Sequence, residues 1–85
     1  MKFTVNWHPD AEQELTQIWL GARDRQRITE SAEQIDGQLR TNPDQRGESR
    51  EDDRRILMVA PLAVSFRVLT DDLRVVVLKV WRYRT

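Results

Sequence analysis

The feature that most constrains the fold is a hydrophobic stretch near the C-terminus. Residues 56–81 contain 18 of the 33 hydrophobic residues in this chain of 85. The stretch is rich in Val, Leu and Ile, and it is interrupted by Ala60-Pro61 and by the polar segment 70–72. Short apolar runs separated by turn residues are typical of β-strands joined by tight turns. We therefore predict three consecutive strands, a β-meander, and expect the remaining residues to cover that sheet.

The first half of the chain has the patterns of one strand and two helices. Residues 2–7 alternate between polar and apolar, which is the period of a half-buried strand. Pro9 fits the first turn of a helix, and Asp24 is a candidate N-cap for a second helix that runs to about Arg40. The apolar stripes of the two helices are Ala11, Leu15, Ile18, Trp19 and Ala22, and then Ile28, Ala32, Ile35 and Leu39. This spacing predicts an α-hairpin with one narrow apolar stripe on each helix.

The last strand of the meander is apolar on both of its faces. We predict that its core face carries Val76, Leu78 and Val80, and that its other face carries Leu73, Val75, Val77 and Trp81. Such a strand needs cover on both faces, whereas two helices with one stripe each cover only one. Either the segment 42–53 folds over the second face or another chain does. Because that segment has no hydrophobic side chain, we favour another chain, with the second set of four residues as its binding surface.

The composition excludes several kinds of site. The chain has no cysteine, which excludes disulfides and thiolate metal sites and suits the reducing cytosol. His8 is the only histidine, so we expect neither a metal site nor a cofactor. No apolar run reaches the roughly 20 residues that a membrane-spanning helix needs, and no signal peptide opens the chain. We expect one cytoplasmic domain over residues 1–85, without membrane association.

The formal net charge of zero conceals an uneven distribution. Residues 1–53 carry 7 Lys and Arg against 12 Asp and Glu, whereas residues 54–85 carry 7 against 2. The two parts therefore have net charges of −5 and +5. They either neutralise each other across the fold or leave a basic face that attracts an acidic partner or a polyanion.

Candidate catalytic residues lie in the basic second half. They are Arg54, Arg55, Arg67, Arg82, Tyr83 and Arg84. The group 82–84 can hold phosphate and stack a base, unless it is simply a solvated terminus. The pair 54–55 follows the acidic run 51–53, so local charge pairing is the alternative there. Arg67, with Arg74 and Lys79, forms either a basic binding surface or a solubilising one.

Two further titratable residues have less support as catalytic groups. His8 stands at the start of the first predicted helix, where we expect a cap or a surface residue. Glu48 lies in a polar loop and would act as a base only if that loop moved inward. We therefore expect an exposed carboxylate at Glu48.

A pattern distributed over the whole chain is similar to that of a known family. It consists of Val5-Asn6-Trp7-His8-Pro9, Ala11, Glu14-Leu15, Ile18-Trp19, Ile28, Ala32, Ile35-Asp36, Leu39, Asn42-Pro43, Gly47, Arg54-Arg55, the run from Pro61 to Val68, Asp71-Asp72 and Val75-Val76-Val77. With these residues the chain resembles the RelE/ParE superfamily of toxins from bacterial type II toxin–antitoxin modules.

The resemblance implies an α+β fold with the order β-α-α-β-β-β, in which the helical hairpin packs on one face of a mainly antiparallel four-stranded sheet. It also implies a short partner protein, the cognate antitoxin, which binds the toxin and covers its open apolar surface. An oligomer with the antitoxin follows from this resemblance.

Members of the superfamily differ in activity, since RelE-like toxins cleave mRNA on the ribosome and ParE-like toxins act on DNA gyrase. Cleavage needs a proton acceptor, a proton donor and cations at the phosphate. At the position of an arginine on the third strand of the nucleases, this chain has Ala63. At the positions of the C-terminal histidine and tyrosine of YoeB-like toxins, it has Arg84 and Thr85, and arginine is a poor general base.

The resemblance therefore implies a growth inhibitor that is neutralised by an antitoxin and lacks the usual ribonuclease residues, with ParE-like action on gyrase. One alternative is a divergent ribosome-dependent mRNA endonuclease that uses the candidate residues above. Another alternative is an interaction module without toxicity.

Overall fold

The computed structural model describes residues 2–84 and contains a five-stranded sheet with two helices on one face. The elements are β1 (Thr4–Trp7), α1 (Pro9–Gly21), α2 (Arg25–Arg40), β2 (Glu48–Ser49), β3 (Arg54–Val59), β4 (Leu62–Leu69) and β5 (Arg74–Arg82). The strand order is β1-β5-β4-β3-β2, and only the β1–β5 pair is parallel among the described residues. The predicted α+β class, with a helical hairpin on a mainly antiparallel sheet, is confirmed.

The prediction of four strands is wrong, because the two-residue strand β2 pairs with β3. Glu48 and Ser49 are both exposed and have no apolar alternation that could indicate a strand. The turn before β2 depends on Gly47, whose φ of +67° lies in the left-handed region. A Cβ at this position would lie 2.1 Å from the carbonyl oxygen of Ile56, so only glycine lets β2 approach β3.

Both helices begin close to their predicted starts. The backbone N–H of Asp10 donates to Nδ1 of His8 at 3.1 Å, which confirms His8 as the cap of α1. Arg25 closes the other end of α1, because its Nε and Nη2 donate to the carbonyl oxygens of Trp19 and Leu20 at 3.0 and 2.9 Å. Asp24 precedes α2 but makes no side-chain capping bond. Within residues 2–84, neither helix has the length and apolarity required to cross a bilayer.

The hydrophobic core lies between the helices and one face of the sheet. Its buried side chains come from all the longer elements: Phe3, Ala11, Ile28, Ile35, Leu39, Leu57, Leu62, Val64, Phe66, Val75, Val77 and Val80. The hydroxyl of Ser31 on α2 donates to the carbonyl oxygen of Val59 at 2.5 Å, which fixes α2 to the end of β3. Because the predicted stripe of α2 is buried here, helical spacing was sufficient to identify this side of the core.

A β-bulge in β5 reverses the alternation of its side chains. Ser65 pairs with Lys79 but Phe66 pairs with Val77, so Leu78 is an extra residue without a partner on β4. Val75 and Val77, before the bulge, are fully buried against the helices. The prediction that these two residues line the uncovered face is therefore wrong.

The prediction that Val76 and Leu78 form the core face is also wrong, since both are only half-buried and neither belongs to the core. It is correct for Val80, which follows the bulge and is buried. Trp81 is on the opposite side and is exposed, as predicted. One inserted residue shifts the two-residue period of a strand, so each side chain before the bulge is on the face opposite to the predicted one.

Helix α1 also takes the place of a missing strand beside the second half of β5. Strand β1 pairs with β5 only from Arg74 to Val77. Beyond that point, the backbone N–H of Val80 donates to the carboxylate of Glu14 at 3.1 Å. This N–H at the edge of β5 is thus paired with an acidic side chain of the helix.

Candidate functional site

The face of the sheet opposite the helices carries the candidate functional site, which we call the open face. Because neighbouring residues of a strand point to opposite faces, the residues that alternate with the core define it. They are Arg54, Ile56 and Met58 on β3, Ala63, Ser65, Arg67 and Leu69 on β4, and Arg74, Val76, Lys79 and Trp81 on β5. The exposed fractions of Met58, Leu69 and Trp81 are 55%, 39% and 37%. Large apolar side chains are therefore accessible on this face.

Two small residues lie at the centre of the open face. Ala63 pairs with Met58 and Trp81, and Ser65 pairs with Ile56 and Lys79. The larger neighbours shield both small residues, which are buried. The hydroxyl oxygen of Ser65 is buried and has no hydrogen-bond partner within the described part of the chain. The centre of the open face therefore consists of two small buried side chains, one of which has a hydroxyl group without a partner among the described residues.

One end of the open face is basic. Arg54 and Arg67 are cross-strand partners, and both are exposed. The carbonyl oxygen of Arg54 accepts the N–H of Arg50, on the side away from β4, so the pair is of the type without direct backbone hydrogen bonds. In that type the side chains of antiparallel partners lie closer together. Among residues 2–84, neither arginine forms an ion pair. Two like charges directly opposite each other are unfavourable, so this end favours an anionic ligand.

Two other candidate arginines have structural contacts on the helical side of the sheet. Nε and Nη2 of Arg55 donate to the carbonyl oxygens of Arg46 and Gly47 at 2.8 and 3.2 Å, which holds the turn before β2. Arg82 makes a bidentate pair with Asp24, with Nη1–Oδ1 and Nη2–Oδ2 distances of 3.0 and 2.9 Å. This pair links the end of β5 to the residue before α2.

Pairing of Arg82 with Asp24 also shifts the pKa values of both side chains. The hydrogen bonds from Arg82 lower the pKa of the Asp24 carboxyl group below its ordinary value. The carboxylate in turn raises the pKa of the Arg82 guanidinium, so both groups stay charged over the ordinary pH range. Asp24 occupies the predicted N-cap position of α2, but its carboxylate binds Arg82 and makes no capping hydrogen bond.

The remaining candidates lie at the C-terminal end of β5. The backbone N–H of Tyr83 donates to the carbonyl oxygen of Pro61 at 3.0 Å, and the side chain of Tyr83 is half-buried. Arg84 is exposed, and Thr85 lies outside the described residues.

The structure does not bring the six candidate catalytic residues together. Arg54 is level with Arg67 on β4, whereas Arg82 is level with Leu62. These two positions are five residues apart along β4, which corresponds to about 17 Å of extended strand. A phosphate group held by Arg54 and Arg67 is therefore out of reach of the C-terminal residues.

The sequence prediction missed several residues of the open face, namely Ile56, Met58, Leu69 and Val76. Met58 and Leu69 have the largest exposed fractions among the large apolar side chains of the face. Strand alternation in β3 and β4 would have indicated them, because they alternate with Leu57 and Val68. Val76 was assigned to the core face in the prediction, because the bulge in β5 is not visible in the alternation pattern. Among residues 2–84, no three metal-ligating side chains are grouped closely enough to hold a metal ion.

Comparisons with known proteins agree with this architecture. No protein-family model and no curated protein matches the sequence. The fold is similar to the solved RelBE2 toxin–antitoxin complex from Mycobacterium tuberculosis, with a TM-score of 0.79 and 18% identity over 96% of this chain and 92% of that chain. It is also similar to the chromosomal ParDE TA system from P. aeruginosa, with a TM-score of 0.71 and 19% identity over 98% of both chains.

A third solved structure extends the likeness to a toxin without its partner. The isolated E. coli RelE toxin has a TM-score of 0.61 and 13% identity over 98% of this chain and 86% of that chain. At these identities the comparisons establish the fold. The chain has the fold of the RelE/ParE toxins.

Proposed function

We propose that this chain is the toxin component of a type II toxin–antitoxin module, a growth inhibitor that a cognate antitoxin neutralises. The observation that carries this proposal is the open face, where Met58, Leu69 and Trp81 are exposed together on one side of the sheet. Exposed apolar surface of this kind marks an interaction site. The fold likeness supports the proposal, because RelBE2 was solved as a toxin–antitoxin complex.

The antitoxin-binding residues follow from the geometry of the open face. Trp81 remains from the sequence prediction, since it is exposed on the open face, whereas Leu73 is exposed in the turn before β5 and lies outside that face. Val75 and Val77 are replaced by Ile56, Met58 and Val76, which alternate with the core. Arg54 and Arg67 at the basic end suit carboxylates of the antitoxin. The bound segment therefore combines apolar side chains with acidic ones.

We further propose that the toxin acts by binding its target, with ParE-like action on DNA gyrase. Two features of the site support this proposal. Ala63 is buried at the centre of the open face, where the nucleases have an arginine. Arg84 replaces the histidine of YoeB-like toxins and stays protonated, so it is a poor general base.

A divergent ribosome-dependent mRNA endonuclease is the second candidate function. Arg54 and Arg67 favour it, because they are adjacent, exposed and free of ion pairs within residues 2–84. A pair of arginines of this kind can stabilise the charge that develops on a phosphate. The distance between this pair and the C-terminal residues Tyr83 and Arg84 argues against the endonuclease, because one phosphate group cannot contact both sets.

Expression of the chain alone in a bacterial host tests these alternatives. Growth arrest with a DNA-damage response is expected for action on gyrase, whereas mRNA cuts at the ribosomal A site would support the endonuclease. Unimpaired growth would leave only the non-toxic interaction module.

Matched variants test the antitoxin surface. Co-expression with the product of an adjacent small open reading frame should restore growth and yield a stable complex. Met58→Glu should abolish co-purification, because it places a charge on the apolar part of the open face. Leu20→Glu is the control, since Leu20 on α1 is equally accessible, with exposed fractions of 53% for Leu20 and 55% for Met58. Equal complex yields for the two variants would contradict the proposed surface.

A further inference from the structure

The sulfur chemistry of this chain is confined to its methionines. The sequence has no cysteine and two methionines, Met1 and Met58, of which Met1 lies outside the described residues. Oxidants convert the thioether of methionine to a sulfoxide, a polar and chiral group that dedicated reductases convert back. Within residues 2–84, Met58 is therefore the one side chain on which this reversible chemistry can take place.

Met58 is also the most accessible large apolar side chain among residues 2–84, with an exposed fraction of 55%. Helix α1 exposes two others, Leu20 and Trp19, although Trp19 was predicted to belong to the core stripe of that helix. Met58 lies on β3 and outside the hydrophobic core. A small peroxide molecule can therefore reach its thioether without any opening of the fold. Because surface changes away from the core have small effects on stability, oxidation of Met58 should leave the fold intact.

The neighbours of Met58 place it in the apolar part of the open face. Its cross-strand partner on β4 is Ala63, which in turn pairs with Trp81 on β5. Ala63 is fully buried although the helices lie on the other side of the sheet, so the larger side chains on either side of it cover it. Ile56, two residues before Met58, is on the same face. A partner that binds the open face therefore encloses the thioether among apolar groups.

We propose that Met58 is a redox modification site whose oxidation weakens binding of the antitoxin, an inference that rests on the proposed toxin function. The oxidant is hydrogen peroxide. A lone pair of Sδ attacks one peroxide oxygen, the O–O bond breaks as the S–O bond forms, and the sulfur loses two electrons. The departing hydroxide takes the proton from the transferred oxygen, so the products are methionine sulfoxide and one water molecule.

The sulfoxide is unfavourable in the complex and not in the free chain. On the exposed surface of the free toxin, water donates hydrogen bonds to the sulfoxide oxygen. In the complex, the same oxygen is buried among apolar side chains without a donor, which should weaken binding roughly 5- to 150-fold. By linkage, the bound antitoxin also protects Met58 from oxidation. Peroxide therefore shifts the population from the neutralised complex towards the free toxin.

The first measurement uses the chain alone and needs no antitoxin. The purified protein is treated with hydrogen peroxide, and peptide mass spectrometry follows the addition of one oxygen atom at Met58. N-acetylmethionine amide in the same solution gives the rate for a fully exposed thioether. The rate for Met58 should lie within about tenfold of this reference, because the side chain is more than half exposed. A slower rate would show that the thioether is sealed within the fold and would overturn the assignment of the site.

The second measurement compares affinities for the product of the adjacent small open reading frame by isothermal titration calorimetry. The chain is oxidised, and the peroxide is removed before the partner is added. The oxidised chain should bind roughly 5- to 150-fold more weakly than the reduced chain, and methionine sulfoxide reductases of both stereospecificities should restore the affinity. Met58→Leu is the control, because it retains Met1 and the three tryptophans. Its affinity should be the same before and after peroxide treatment.

Two outcomes of the second measurement would overturn the effect on binding. They are equal affinities of the oxidised and reduced chains, and an equal loss of affinity in Met58→Leu, which would place the sensitive group elsewhere. A changed far-UV circular dichroism spectrum of the oxidised chain would also overturn it, because the weaker binding would then reflect unfolding. Absence of a complex with the reduced chain would instead contradict the proposed function. In that case the oxidation rate of the chain alone still decides whether Met58 is a modification site.

Discussion

Truncation of neighbouring valines in β5 tests the bulge and, with it, the assignment of the open face. Val77→Ala removes two methyl groups from a fully buried site. At about 0.8 kcal/mol for each buried carbon, the transfer term is about 1.6 kcal/mol, and the remaining cavity raises the total to about 2 to 3 kcal/mol. Val76→Ala should cost less than about 1 kcal/mol, because Val76 is half-buried and outside the core. The lower strand propensity of alanine affects both variants and cancels in the comparison.

Urea unfolding followed by circular dichroism measures both values. In thermal unfolding, a loss of 1 kcal/mol in the free energy of unfolding lowers Tm by about 4–8 °C in a domain of this size. The Tm of Val77→Ala should therefore lie at least about 8 °C below that of the parent chain. Val80→Ala, on the other side of the bulge, should behave like Val77→Ala, because Val80 is also buried. Deletion of Leu78 should be tolerated, since it removes the extra residue and leaves Val77 and Val80 facing the core, with Lys79 and Trp81 on the open face.

Equal destabilisation by Val76→Ala and Val77→Ala would contradict the bulge. That result would mean that β5 keeps an unbroken alternation, with Val76 in the core, as the sequence pattern predicts. The open face would then lose Val76 and gain Val75 and Val77.

Three further predictions concern other parts of the fold. Gly47→Ala should lower the free energy of unfolding in urea by more than about 2 kcal/mol, because φ at this position is positive and a Cβ would lie 2.1 Å from a carbonyl oxygen of β3. Gly37→Ala is the control and should raise it by about 0.5–1 kcal/mol, because a Cβ at this position would have no atom of the rest of the chain within 4 Å. Arg82 lowers the pKa of Asp24, so the stability from this pair is present above the unfolded-state pKa and is lost as pH falls through the folded-state pKa. In Asp24→Asn, the free energy of unfolding should therefore fall less steeply at acidic pH than in the parent chain. Ser31→Ala should cost about 2 kcal/mol in the same urea assay, because it leaves a strand carbonyl oxygen without its donor.

Hydrophobic periodicity was sufficient to predict the helices and the longer strands, but not which side chains of β5 face the core. The two helices and the alternating strands β1 and β4 have one apolar side each, so their spacing identifies the buried side. From Val75 to Leu78 all four residues are apolar, and such a run is compatible with either face pointing inward. The bulge is decided by pairing with β4, which involves residues more than ten positions away in sequence. The register between β4 and β5 therefore cannot be predicted from the local sequence of β5 alone.

The same limit applies to the arginines. Arg54 and Arg55 are neighbours with the same local composition, yet they point to opposite faces of β3. Arg55 holds the turn before β2, and Arg54 is free of ion pairs within residues 2–84. Only the face of the strand distinguishes a structural arginine from a candidate binding residue. Sequence reasoning could therefore identify the basic segment but not which of its members is available to a ligand.

The uneven charge distribution is only partly neutralised within the fold. Among the close acid–base contacts of residues 2–84, only the pair of Asp24 and Arg82 joins the acidic part of the chain to the basic part. Other side chains of opposite charge lie near one another, because Asp44 and Asp53 line one depression with Arg55 and Arg67, and Asp10 and Glu14 line another with Lys79 and Arg82. Arg54 and Arg67 nevertheless form no ion pair within these residues and lie together at one end of the open face. The zero net charge of the chain therefore leaves a basic end beside an apolar surface, and this combination favours a partner segment with acidic and apolar side chains.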